Sequence, residues 1–383
     1  MGIVSCVGKH QFASMSIMRN GKYQTVGSTS LDTSVGLVCH YQFENGSSQF
    51  VFMDVESGKR ASLNHWLCFS TENFVQTLAL SNGLILLSGF SEDQFCYHVF
   101  NPLTKLNLPI PQTRIQENVT RVGLAFDGCQ FEVVLVEAAS SQSNQLKVHV
   151  FSSATGKWRS HHPINITVPS LPESEFQELG TAPLYSNGSI HWEIGGHLLV
   201  YEVQGSHCEL YELPNYSKDG SWQPTLTFRR RLCESGGRIY YCYTDFDGFH
   251  IWKLLNEHEH EGFLYYWDYK TFPWSLVHSV EPEVFMSKLE NFCGIFFYDW
   301  DPFKIAPVGF SEQSKIIYLQ LPGSVVSYNL GTGTLKSICT YSCSDMNFNC
   351  CSFFSSTCHN VLSDSNGETE LNLPIEEVEK LAL

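Results

Sequence analysis

Short apolar runs separated by polar turns recur along most of this chain. Six pairs of runs have the length, the aromatic content and the β-branched content of strands, and each pair is joined by a short polar link. The pairs are Val38–Phe43 with Gln49–Phe52, Gly83–Leu87 with Cys96–Phe100, Glu132–Val136 with Leu146–Phe151, Ser189–Ile194 with His197–Tyr201, Arg238–Tyr243 with Phe249–Leu254, and Lys315–Leu319 with Ser324–Tyr328. The pattern predicts antiparallel strand pairs.

An aromatic residue followed by a turn closes most of these pairs. Such turns are Phe52–Lys59, Phe100–Lys105, Phe151–Lys157, Tyr201–Gly205 and Tyr328–Gly333. With Trp252 as the fifth aromatic, the intervals are 48, 51, 50, 51 and 76 residues. A strand-carrying period of about 40–50 residues is typical of a propeller blade. The repeat therefore predicts an all-β, six-bladed, kelch-like β-propeller with short irregular or helical terminal segments.

The long last interval predicts an insertion. Two stretches supply it, Glu257–Gly262 and Phe285–Asp301. The fifth turn has an alternative position at Trp267–Thr271, although the regular spacing favours Trp252. An outer fourth strand is expected after each turn, and the candidates are Lys157–Arg159, Cys208–Leu213 and Trp274–His278.

The repeat also suggests a domain organisation. We expect an N-terminal segment over 1–35, the propeller over 36–342, and a cysteine-rich segment with an acidic tail over 343–383. Closing a ring removes exposed sheet edges, and one terminus usually completes the last blade. Ser16–Met18 or Leu31–Val38 could do so from the N-terminal side. In the tail, Leu373–Leu381 has an early proline followed by glutamates, which predicts a short helix.

Charge and composition restrict the possible partners. The formal net charge of −16 disfavours nucleic-acid binding. No apolar run approaches the roughly 18 residues that span a bilayer. The 14 cysteines are scattered and no export signal precedes them, so reduced thiols and a cytoplasmic or nuclear location are expected. The one compact basic run, Arg229–Arg231, is interpreted as a solvated link between blades, with a patch for a partner's acidic residues as the alternative.

No catalytic, cofactor-binding or metal-binding residue is predicted. Gly331–Gly333 lacks the downstream glycine and lysine of a phosphate-binding loop, and no Gly-x-Ser-x-Gly elbow is present. His258–His260 lacks the spacing that places two imidazoles on one helical face. A denser cysteine and histidine cluster fits zinc spacing poorly, so packing of reduced cysteines is favoured. Its members are Cys339, Cys343, Cys350, Cys351, Cys358 and His359.

A few polar and aromatic positions have both a structural and a functional interpretation. Trp192 and His191 lie on opposite faces of one predicted strand, and packing between blades is favoured for Trp192 over a ligand platform. Asn101 and Asn187 are interpreted as turn residues, because asparagine tolerates the backbone angles of turns.

An ordered series of motifs resembles the F-box-associated propeller of plant F-box proteins. The similarity covers about residues 36 to 342. The motifs are Ser81–Leu87, His98–Thr104, the Leu-Pro-x-Pro segment Leu108–Pro111, the strand Val122–Asp127, the turn Val150–Trp158, the strand Asn187–Trp192, and Ile251–Leu254. Such proteins normally begin with a helical F-box opening with Leu-Pro, and residues 1–36 contain no proline.

The resemblance implies a non-enzymatic protein-interaction module of the kind that holds the substrate of a cullin-RING (SCF-type) ubiquitin ligase. A target protein would be the partner, and the ligase adaptor a further one if an F-box were present. One alternative is a stand-alone or decoy propeller. Another is a kelch-type enzyme or sugar-binding protein, whose copper-oxidase version would need tyrosine, histidine and cysteine at the ring centre.

Overall fold

The computed structural model describes 21 short stretches that together form the sheets. The described residues are 16–19, 22–25, 35–43, 48–55, 60–63, 75–91, 94–101, 106–112, 119–127, 129–138, 145–161, 164–165, 182–194, 196–205, 207–214, 230–245, 247–255, 274–293, 305–321, 324–340 and 346–355. Among these residues strands predominate, which confirms the all-β class. Of the helices in this part of the chain, none is long and apolar enough to cross a membrane.

The strands form antiparallel meanders, which we number along the chain. A short hairpin of β1 (Ser16–Arg19) and β2 (Lys22–Thr25) comes first. Meander 1 contains β3 (Val35–Phe43), β4 (Ser48–Asp54) and β5 (Arg60–Ser62). Meander 2 contains β6 (Gln76–Ser81), β7 (Leu84–Ser91), β8 (Gln94–Asn101) and β9 (Leu106–Ile110). Meander 3 contains β10 (Val119–Phe126), β11 (Phe131–Ala138), β12 (Gln145–Ser152) and β13 (Lys157–Ser160), and β14 (Ile164–Asn165) also pairs with β12.

The second half of the chain repeats this order. Meander 4 contains β15 (Leu184–Ser186), β16 (Ser189–Ile194), β17 (His197–Glu202) and β18 (His207–Glu212). Meander 5 contains β19 (Arg230–Ser235), β20 (Arg238–Asp245), β21 (Gly248–Leu254) and β22 (Trp274–Val280). Meander 6 contains β23 (Ala306–Ser311), β24 (Ile316–Leu321), β25 (Ser324–Asn329) and β26 (Leu335–Thr340). One parallel bridge, Leu184 to Leu80, joins meanders 4 and 2.

The predicted strand pairs are confirmed as β3 with β4 in meander 1 and as the second and third strands of meanders 2 to 6. The three predicted outer strands are confirmed as β13, β18 and β22. Short turns and alternating apolar positions are local signals, so these pairings could be predicted without knowledge of long-range contacts.

The remaining strand of meander 1 comes from the C-terminal side of the chain. β27 (Met346–Ser355) pairs antiparallel with β3 over its length, whereas Ser16–Arg19 pairs with its own neighbour β2. Of the two N-terminal candidates, Ser16–Met18 does not join this sheet, whereas Leu31–Val38 overlaps β3 from Val35 onward. Cys350 and Cys351 belong to β27, a strand that the sequence pattern did not predict.

The core lies between neighbouring meanders. Each apolar cluster combines residues of two meanders that follow each other, and one cluster joins meander 6 to meander 1 through Val325 and Leu37. The repeated aromatics lie in these clusters, and each is at most 9% exposed. Burying one such side chain contributes about 1.5–3 kcal/mol. The fifty-residue repeat is therefore a repeat of inter-sheet packing.

The helix α1 (Pro282–Cys293) occupies part of the predicted insertion. Proline at its start and Glu283 in its first turn suit a helix N-terminus. Phe285 and Leu289, four residues apart, are buried in the cluster between meanders 5 and 6. The stretch Glu257–Gly262, the alternative turn Trp267–Thr271 and the predicted helix Leu373–Leu381 lie outside the described residues.

Candidate functional site

One face of the molecule carries the described turns after the first strands of meanders 2 to 6 and after the third strands of meanders 3, 4 and 6, and we call it the turn face. These two turns lie at the same end because the strands alternate in direction. Backbone hydrogen bonds join them within a meander: Ser153 N–H to Phe131 O at 2.9 Å, Val203 N–H to Gly188 O at 3.1 Å, and Leu330 N–H to Lys315 O at 2.8 Å. The paired turns hold each other in place.

Side chains also join the first turns of different meanders. Phe126 N–H donates to Ser81 Oγ at 3.0 Å, and Asn82 Nδ2 donates to Phe126 O at 2.7 Å. Asn187 Nδ2 donates to Gly237 O at 3.0 Å. These bonds connect turns of different meanders at the ends of the inner strands, by which we mean the first strands of meanders 2 to 6. Turns that are already connected lose less conformational entropy when a partner binds.

The asparagines of these turns have the predicted role. Asn82 and Asn187 have φ angles of 44° and 50°, which non-glycine residues rarely adopt and asparagine tolerates best. The turn assignment of Asn187 is confirmed. Asn101 is the last residue of β8, and the turn after it lies outside the described residues.

A cavity of about 110 Å³ lies where the inner strands β6, β15, β19 and β23 meet. Its lining consists of Leu80–Gly83, Ala182–Tyr185, Arg231–Glu234 and Val308–Gly309. Since Asn82 and Gly83 form the turn between β6 and β7, the cavity reaches the turn face. A single water needs about 10–15 Å³ of such volume, so there is room for several waters or the end of one side chain.

The lining of this cavity carries one charged side chain of each sign. Arg231 and Glu234 line it, and Glu234 Oε1 accepts a hydrogen bond from Gly237 N–H at 2.7 Å. Burial, and then the nearby carboxylates of Asp127 and Glu132, raise the pKa of the Tyr185 hydroxyl. Two carboxylates therefore lie close enough to Tyr185 to act on its hydroxyl.

The basic run Arg229–Arg231 does not form a solvated link in its described part. Arg230 donates to Glu193 Oε1 at 2.9 Å, and the two side chains are 10% and 1% exposed. The Tyr241 hydroxyl donates to the same oxygen at 3.2 Å. Burial opposes the charge of Arg230, but Tyr241 and Glu193 more than offset it and raise its pKa. The correction has a physical reason: a buried carboxylate on meander 4 requires a cation from meander 5.

Two meanders contain equivalent sets of serine, histidine and carboxylate. His149 Nδ1 is hydrogen-bonded to Ser160 Oγ at 2.7 Å, and its Nε2 lies 3.5 Å from Glu137 Oε2. His250 Nδ1 is hydrogen-bonded to Ser279 Oγ at 3.0 Å, and its Nε2 lies 3.2 Å from Asp245. Each serine lies directly opposite its histidine on the neighbouring strand.

These sets stabilise the sheets, because the hydrogen bond between histidine and serine joins two neighbouring strands. Both histidines are buried, and each lies two residues before the repeated aromatic of its meander. His98 occupies the same place in meander 2 and is hydrogen-bonded to Asn107 Oδ1 at 2.9 Å. The His-x-aromatic motif recurs visibly in the sequence, but the spacing of the aromatic-led turns does not indicate a role for its histidine.

Trp192 packs between blades as predicted. It is 1% exposed, and its Nε1–H donates to Val122 O at 3.0 Å across the boundary between meanders 4 and 3. Gly123 allows this approach, because a Cβ there would lie 2.6 Å from Trp192 Cζ2. His191, the preceding residue of the strand, is also buried, and burial lowers its pKa to about 4 although Leu184 O accepts a hydrogen bond from it.

The candidate metal residues are only partly described. Cys339 is buried at 3% exposure in the cluster between meanders 6 and 1, and Cys350 and Cys351 belong to β27. The other members of the cysteine and histidine set, Cys343, Cys358 and His359, lie outside the described residues, and so does His258–His260. Within the described stretches, no group of three or more histidine, cysteine or acidic side chains is placed to hold a metal ion.

Sequence reasoning did not find the cavity. Tyr185, Glu234 and Arg231 lie on inner strands, and Asp127 lies in a turn of another meander. Their proximity depends on the arrangement of separate sheets, so no local pattern could reveal it. The one sequence signal for the cavity is that charged residues occur in short strands whose other residues have the pattern of buried core positions.

Comparisons with known proteins give one informative match. The family model described as "F-box protein At3g26010-like, beta-propeller" matches residues 57–375, which is most of the chain. No curated protein matches the sequence.

The solved structures that match are distant. An acylaminoacyl peptidase of Pyrococcus horikoshii has 10% identity and a TM-score of 0.38 over 81% of this chain and 53% of that chain. An oligogalacturonate lyase of Vibrio parahaemolyticus has 9% identity and a TM-score of 0.39 over 82% and 81%. The chain spans about half the length of the acylaminoacyl peptidases that it matches. Similarities this weak carry no argument about function.

Proposed function

The chain belongs to the F-box protein At3g26010-like β-propeller family, and from this premise we propose that it is a non-enzymatic protein-interaction module. In this proposal the chain holds a target protein on its turn face. The observation that carries the proposal is the cross-linked set of turns around the inner strands, for which Asn82 and Asn187 provide bonds between meanders. A surface ordered before binding is suited to protein recognition.

The proposed architecture is a closed, six-bladed ring of the kelch-like kind. Its support is the succession of apolar clusters, each shared by consecutive meanders, together with the cluster that joins meander 6 to meander 1. The pairing of β27 with β3 supports it further, because it brings late and early parts of the chain into one sheet. Such a ring would leave no unprotected inner edge.

The proposed cellular role is substrate recognition for a cullin-RING (SCF-type) ubiquitin ligase, in the cytoplasm or nucleus. Family membership supports this role. The adaptor would be a second partner, bound through an F-box. A propeller that binds its target without a ligase is the competing form of the same proposal.

The non-enzymatic part of the proposal has its own support. Serine, histidine and carboxylate do meet in this protein, but at repeated positions within sheets. His250, the centre of one set, is 1% exposed. A substrate atom could not reach such an imidazole without local opening of the sheet.

Co-purification from plant cells tests the proposal. The full chain carrying an affinity tag would be isolated, and its associated proteins quantified against a tag-only control. We expect an enriched target protein and, for the ligase role, the adaptor with it. Enrichment of a target without adaptor would contradict the ligase role and leave the interaction module. Enrichment of neither would contradict both.

A further inference from the structure

The cavity among the inner strands has the size and the charge of a site for one side chain. It is about 110 Å³ in volume and reaches the turn face at Asn82 and Gly83. The Tyr185 ring lines one part of it, half-buried, and Glu234 lines another. An aromatic face combined with carboxylates is the usual surrounding of an ammonium or guanidinium group.

The balance of charge at the cavity favours a cation. Arg231 and Glu234 belong to one strand and their formal charges cancel, while Glu132 is paired with Arg159 at 2.9 Å. Asp127 does not line the cavity, but its carboxylate acts on the Tyr185 hydroxyl, so it adds one negative charge close to the lining. Asp127 follows Phe126, whose backbone is hydrogen-bonded to Ser81 and Asn82 of the lining, so its position relative to the cavity is fixed.

We propose that this cavity binds a lysine or arginine side chain presented by a target protein on the turn face. The inference rests on the proposed interaction function and adds the chemistry of the contact. The net charge of −16 favours basic targets as well, because it attracts them before contact.

Isosteric substitutions separate the charge from the geometry. Asp127 Oδ1 accepts hydrogen bonds from Cys129 N–H and Gln130 N–H, both at 2.8 Å, and an asparagine at this position would keep an Oδ1 to accept them. Glu234→Gln keeps the Oε1 that accepts from Gly237 N–H. Asp127→Asn and Glu234→Gln therefore remove charge while the turns stay bonded. Glu212→Gln, exposed on β18 at the opposite end of its meander, is the matched control.

The test is binding of acetylated amino-acid amides to the full chain, measured by titration in NMR. We expect saturable binding of the arginine and lysine amides, at least about tenfold tighter than the glutamine and glutamate amides. Asp127→Asn and Glu234→Gln should each weaken it about fivefold, Arg231→Gln should strengthen it, and Glu212→Gln should leave it unchanged.

Several results would overturn the inference. They are no saturable binding of either basic amide to the unmodified chain, equal binding of the glutamate amide, or weaker binding after Arg231→Gln. The comparison of amides on the unmodified chain decides the matter even if a variant fails to fold. A chain that captures its target but binds no basic amide refutes this inference alone, whereas a chain that captures no target refutes the proposed function.

Discussion

Trp274 on β22 donates its indole N–H to the backbone carbonyl of Glu212 on β18, with Nε1 and O 2.8 Å apart. The bond crosses from the outer strand of meander 5 to the outer strand of meander 4. Trp158 on β13 makes the equivalent contact to Pro111 O, beyond β9 of meander 2, at 2.7 Å. Tryptophan at this position therefore joins the outer part of one sheet to the preceding sheet.

Replacing Trp274 by phenylalanine should destabilise the fold by about 1–3 kcal/mol, because Glu212 O loses its donor and the smaller ring leaves space. Urea unfolding followed by circular dichroism measures the change. Trp158→Phe should cost less, since Trp158 is only half-buried. Equal stability of wild type and Trp274→Phe would show that the bond is not needed.

Gly123→Ala should destabilise the protein by about 1–3 kcal/mol, since the new methyl group would overlap Trp192 Cζ2 and Ile190. Gly331→Ala is the matched control, because a Cβ there would meet only Asn329 Oδ1 at 3.4 Å. Thermal unfolding of both variants makes the comparison. A Gly123→Ala variant as stable as Gly331→Ala would contradict the close approach of β10 and Trp192.

Local signals in the sequence predicted the strand pairs and the inter-blade role of Trp192, because alternation and turn residues act over a few positions. They did not predict the pairing of β27 with β3, which joins residues about 300 positions apart. They also assigned Arg230 to solvent, since its partner Glu193 belongs to another sheet. Likewise, the cavity arises only where four separate inner strands meet.

Arg230→Met should cost about 3–5 kcal/mol, because it leaves Glu193 buried without its cation. The double variant with Glu193→Leu should recover much of this loss, which a double-mutant cycle measures as a coupling energy. Arg159→Met removes the partly exposed pair with Glu132 and should cost less than about 1 kcal/mol. Similar losses for Arg159→Met and Arg230→Met would contradict the burial of the pair.

Stability should fall as the pH falls from about 6.5 to 4. His40 and His191 have a folded-state pKa of about 4, lowered by burial, so in this window the unfolded chain binds protons that the folded chain does not. Each histidine contributes up to about 3 kcal/mol of this loss. Chemical unfolding at several pH values measures the slope.

His191→Gln should reduce the pH slope by about one proton, because the folded-state pKa of His191 lies near 4. A stability that stays flat between pH 6.5 and 4.5 would contradict the neutral, buried state of these imidazoles.

The most direct test of the account is whether target capture depends on the turn face. Proteins captured from plant cells would be quantified for the wild type, for the turn-face variant Gln130→Arg with Glu312→Arg, and for Glu212→Arg at the opposite end of its meander. All three sites are exposed. We predict that wild type and Glu212→Arg capture the same target, and that the turn-face variant loses at least about tenfold of it. Equal capture by all three proteins, or no target above the tag-only control, would contradict the account.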